Sequence, residues 1–132
     1  MSNQKIKILT AKIGLDDHYK GIILVNQALR DAGMEVVYLG TGQRIDGVVT
    51  AAIQEDADVI GLSFLNASHM PIMEEFMSRM QERGLEHLMV IAGGNMPFED
   101  IPKLKEMGVS EVFISGSKLN DIVCYVSENT GK

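Results

Sequence analysis

At 132 residues, 45% of them hydrophobic, the chain has the length of one domain, residues 1–132, and can bury an ordinary core without disulfides or structural metal. A (β/α)₈ barrel, which takes about 250 residues, does not fit, so chemistry that needs one must come from another polypeptide. The formal charge of -6 and the lack of a basic cluster argue against nucleic acid or an anionic membrane surface as partner.

Met1 to Lys7 is polar and alternating and lacks the form of a signal peptide. No apolar run approaches the roughly 18 residues of a membrane span, so a cytoplasmic protein is expected. From there short apolar runs alternate with amphipathic stretches. Ile6–Ile13, Glu35–Leu39, Val59–Ser63, Leu88–Ala92 and Val112–Ile114 read as strands. Ile22–Ala32, Val48–Gln54, Ile72–Arg83, Ile101–Met107 and Leu119–Val126 read as helices. The strand runs carry Val and Ile continuously, as expected of parallel strands covered on both faces. Gly33, Gly84 and Gly108 sit just past amphipathic stretches, where a helix end needs a left-handed residue. Five βα units without a linker or repeat predict an α/β, flavodoxin-like doubly wound sheet of order 2-1-3-4-5, with helices on both faces. Cys124, the single cysteine, falls in an apolar periodic stretch and is expected to be a buried thiol.

In that strand order the ligand crevice lies beyond the carboxyl ends of the strands, near the switch between the first and third. The loops there hold Lys12 to Gly21 and Ser63 to Met70, and Gly93-Gly94-Asn95 follows the fourth strand. Several functions share this fold, and only site residues separate them. A phosphoacceptor domain needs an aspartate ending the third strand, where this chain has Ser63. A flavodoxin needs a hydroxyl-rich phosphate loop after the first strand, and this loop is acidic. A dinucleotide fold needs G-x-G-x-x-G there, which is absent.

The loop after the first strand instead reads Asp16-Asp17-His18-Tyr19-Lys20-Gly21. Imidazole is the commonest metal ligand, and a carboxylate on its other nitrogen fixes the ring and raises its basicity. His18 is the candidate metal ligand, Asp16 its orienting carboxylate, and Lys12 the cation behind Asp16. His69 reads as a rim residue of the crevice and His87 as a surface turn residue. Met70, Met73, Met77 and Met80 recur at helical spacing, which suits core packing or a soft contact surface.

The D-x-H-x-x-G pattern of Asp16, His18 and Gly21, with Lys12 upstream, resembles the cofactor loop of cobalamin-binding domains, closest to those of acyl-CoA mutases such as methylmalonyl-CoA mutase. Ser63-Phe64-Leu65 resembles the family's S-x-L after the third strand, and Gly93-Gly94 its paired glycines after the fourth. Ser115-Gly116-Ser117 stands where the family has Pro-Gly-Thr, and Asp17 where many relatives have glycine. The resemblance runs from about Ile6 to Ser117. It implies adenosylcobalamin bound base-off, with cobalt on His18, and with Ser63, Leu65, Gly93, Gly94 and Ser117 around the nucleotide tail. It further implies a small subunit of an isomerase, inactive until joined by a large barrel subunit that binds the acyl-CoA. A corrinoid carrier for methyl transfer, or the small subunit of a glutamate-type mutase, are the alternatives.

Overall fold

The computed structural model describes residues 5–14, 20–64 and 69–130. The elements run β1 (Lys7–Ala11), α1 (Lys20–Asp31), β2 (Glu35–Tyr38), α2 (Ile45–Gln54), β3 (Val59–Phe64), α3 (His69–Glu82), β4 (Met89–Gly94), a 3-10 turn (Phe98–Asp100), α4 (Ile101–Glu106), β5 (Glu111–Ile114) and α5 (Leu119–Asn129). The strands form one parallel sheet of order β2-β1-β3-β4-β5, the order expected from the sequence. Gly33, Gly84 and Gly108 have positive φ at the helix ends, as anticipated.

Adjacent residues of a strand point to opposite faces, and each face builds its own core. Leu9, Ile60 and Val90 share a cross-strand row and pack with Val48, Phe76 and Leu104 beneath α2, α3 and α4. Ile8 and Val59, also paired, pack with Leu29, Ile122 and Val126 beneath α1 and α5. Met73 and Met80 are buried in the first of these cores, so two of the four helical methionines fill the interior. Arg79 joins α3 to α2 through Asp46. That carboxylate, with Glu75 and Glu82 beside it, holds the guanidinium above its usual pKa.

Cys124 departs from expectation, because it is exposed. The buried stripe of α5 runs through Ile122 and Val126, four residues apart. A residue two positions from each lies about 200° round the helix and faces solvent.

Candidate functional site

The sheet surface under α1 and α5 is short of side chains near the strand ends. One row across it is Thr10, Gly61 and Ile91, and further toward the carboxyl edge Ser63 pairs with Gly93, which pairs with Phe113. Gly61 and Gly93 leave a hollow where two side chains would stand, and α1 and α5 roof it. The result is a cavity of about 390 Å³. Its walls are mostly apolar, with Ile8, Val25 and Phe113 among them, and a few polar groups enter at Thr10, Ser63, Ser115 and Ser117. Such a space, apolar with sparse polar groups, suits a small organic ligand.

Five residues singled out from the sequence line this cavity: Gly21, Ser63, Gly93, Gly94 and Ser117. Gly21 comes in on the first turn of α1, Ser117 from the turn after β5, and the others from the ends of β3 and β4. Gly93 and Gly94 are not loop residues, however. They are the last two residues of β4, in register with Ser63 and Phe64. Gly94 has φ +128°, and a Cβ there would stand 1.7 Å from the Phe64 carbonyl oxygen, so no other residue fits.

Lys12 is fully buried just beyond β1. Its Nζ donates to the carbonyl oxygen and to Oγ of Ser63, both at 3.3 Å, and so ties the ends of β1 and β3. Its backbone is held in turn: Lys12 N donates to Gly40 O, and Gln43 N to Lys12 O. Asp16, Asp17, His18 and Leu65 lie outside the described residues.

His69 is not at the rim. It is 2% exposed at the start of α3, its Nε2 lies 2.7 Å from Asp100 Oδ2, and its ring packs edge-on against Phe64. His87 is exposed in a turn, as expected.

A second buried polar pair escaped the sequence reading. Thr10 Oγ1 donates to Asn26 Oδ1 at 2.8 Å beneath α1. Asn26 was detectable, because it is a polar residue four positions after Ile22 on the buried stripe of α1. A wider groove of about 700 Å³ between α3 and α4, bordered by Met70, Met77 and Met107, carries none of the residues predicted to form the site.

Residues 6–123 match the model of the B12 binding domain. The chain belongs to the B12-binding domain family. It is 42% identical over 123 residues, 93% of its length and 90% of the relative's, to the 2-hydroxyisobutanoyl-CoA mutase small subunit of Aquincola tertiaricarbonis. It is 43% identical over 118 residues, 89% of its length and 79% of the relative's, to the pivalyl-CoA mutase small subunit of Xanthobacter autotrophicus. In fold it is similar to a cobalamin-binding protein from Desulfitobacterium hafniense, with a TM-score of 0.83, at 22% identity, over 95% of this chain and 59% of that one. An apolar cavity with a few hydroxyls on its walls fits part of such an organic cofactor.

Proposed function

We propose that this chain is the cobalamin-binding small subunit of an acyl-CoA mutase, and that a separate large subunit binds the acyl-CoA thioester. One observation carries the reading: the cavity opened by Gly61 and Gly93 meets the strand ends at Ser63, where Lys12 is fastened. The identity to two mutase small subunits over most of the chain supports it. The cofactor form proposed is adenosylcobalamin, which when bound supplies the radical chemistry of a carbon-skeleton rearrangement.

The chain's own residues bind and orient. His18 would hold the cobalt through one ring nitrogen, and Asp16 would orient that ring by accepting a hydrogen bond from the other. Lys12 has three N–H donors on one ammonium, enough to hold Ser63 and Asp16 together. It would thus fix the distance between the axial-ligand loop and the tail cavity. The Ser63 hydroxyl and Leu65 would hold the nucleotide tail. Gly21 lets α1 begin close to it, and Gly93 and Gly94 admit it against bare backbone. Ser117 closes the far wall. The large subunit would carry the barrel that binds the acyl-CoA.

The test is a visible-absorption titration of the purified chain with hydroxocobalamin, for wild type and His18→Ala. A base-off, histidine-ligated spectrum that loses its axial-ligand signature in the variant is expected. A wild-type chain that leaves the spectrum of free hydroxocobalamin unchanged would sink the proposal. Turnover is expected only on adding a large subunit, with 2-hydroxyisobutanoyl-CoA and pivalyl-CoA as the first substrates to try. Methyl transfer without rearrangement would instead favour a corrinoid carrier.

A further inference from the structure

Thr10, which lines the cavity, and Asn26, which is not among its lining residues, form a polar pair whose hydrogen bonding is incomplete. Thr10 and Asn26 are 2% and 1% exposed, and a single hydrogen bond joins them, from Thr10 Oγ1 to Asn26 Oδ1. Asn26 Nδ2 is buried with no hydrogen-bond partner among the described residues. The pair owns three donor hydrogens, one on the hydroxyl and two on the amide, and uses one. Turning the amide over does not help: one amide atom then faces Thr10 and the other is still unpaired. Buried polar groups are almost always satisfied, so an orphan of this kind calls for a reason.

Position supplies one. Thr10 lines the cavity in the same cross-strand row as Gly61, and Asn26 follows Val25, another lining residue, on α1. A Cβ on Gly61 would stand 3.5 Å from Thr10 Cγ2, so the threonine flanks the space that this glycine leaves open. The surplus is of donors, and its complement is a hydrogen-bond acceptor inside the cavity.

Resting on the proposed cobalamin function, we propose that Thr10 is a tail-binding residue, with Asn26 as the residue that positions its hydroxyl. When an acceptor of the nucleotide tail, a ring nitrogen or a ribose oxygen, lies beside Thr10 in the cavity, the Asn26 amide turns over. Nδ2 then donates to Thr10 Oγ1, and the threonine proton is directed to the ligand. Two of the pair's three donor hydrogens are then used in place of one, and the cavity acquires a polar reading point at Thr10, separate from Ser63.

The experiment is equilibrium titration of wild type, Thr10→Ser, Thr10→Val and the double variant T10V/N26L, each with hydroxocobalamin and with cobinamide, a corrinoid that lacks the nucleotide tail. The Val and Leu replacements keep shape, and removing both members of a buried polar pair is close to neutral for stability. Loss of one hydrogen bond should raise the Kd for hydroxocobalamin about tenfold in T10V/N26L, leave that for cobinamide unchanged, and spare Thr10→Ser. An analogue with adenine in place of dimethylbenzimidazole separates the two acceptor types: equal loss with both tails marks the ribose, unequal loss the base. An unchanged ratio of the two Kd values, or parallel weakening of both corrinoids, overturns the inference while the proposed function stands. Should T10V/N26L not fold, Thr10→Val alone must show the same split, and its absence overturns the inference equally. A wild-type chain that binds no hydroxocobalamin overturns both.

Discussion

At the scale of single residues, the place where the end of β4 meets the end of β3 has no room for a side chain. Gly94 turns the strand under the Phe64 carbonyl, and Asn95 N donates to that same oxygen at 3.0 Å. Gly94→Ala forces a Cβ into a backbone oxygen at a positive φ, so the loss is both strain and a displaced hydrogen bond. Urea unfolding should show a destabilisation of about 3 kcal/mol or more, and a loss under about 1 kcal/mol would mean that the strand end yields easily. The buried His69 lies against the same Phe64 and reaches Asp100 on the next loop. Its Nδ1 is already unpaired, so Asp100→Ala leaves both ring nitrogens without partners. The expected cost is about 2 kcal/mol, read by the same unfolding curves. Asp100→Asn, which can still present an oxygen to Nε2–H, should cost less than half of that.

At the scale of elements, the cavity is made by omission, and this sets stability against binding. Gly61 sits inside β3 with no positive φ, and a Cβ there would meet Thr10, Ile91 and Ile8 at 3.5–3.7 Å, ordinary packing distances. Gly61→Ala should therefore raise stability by about 0.5 kcal/mol, through a less flexible unfolded chain and added contact. The same methyl group stands in the cavity, and hydroxocobalamin affinity should fall several-fold in the titration that tests the wild type. A variant at once less stable and unaltered in affinity would refute this account of the hollow. Such trades explain what the sequence could disclose. Strand order and helix ends were legible, because continuous Val/Ile runs and the glycines at 33, 84 and 108 report local backbone needs. The residues at the strand ends were legible through their pattern, and five of them do share one cavity. Gly61 was not, since a glycine inside an apolar run says nothing about which face it bares. Nor was the bond between Thr10 and Asn26, whose partners meet only when α1 folds over β1. Nor was the exposure of Cys124, since an apolar stretch alone does not tell which side of α5 a residue faces.

At the scale of the whole molecule, the proposed cofactor is a structural element as well as a reagent. A cavity of about 390 Å³ lies between α1 and α5, and these two helices cover one whole face of the sheet. A ligand that fills it touches both helices and the ends of β3 and β4 together. Binding to the folded state alone stabilises by RT ln(1 + [L]/Kd), or about 2.7 kcal/mol at a hundredfold excess over Kd. For a chain of 132 residues that corresponds to a rise in Tm of about 10 °C. Scanning calorimetry with hydroxocobalamin at a hundredfold its measured Kd should show this shift. At the same absolute concentration, cobinamide, which cannot occupy the tail cavity, should give a much smaller one. His18→Ala separates the two halves of the proposed site: the variant should keep part of the shift, because the proposed tail contacts at Ser63 and Gly93 would survive loss of the proposed cobalt ligand. If instead cobinamide shifts Tm as far as hydroxocobalamin, the binding energy comes from the corrin and the axial ligand, and the cavity between α1 and α5 has another occupant.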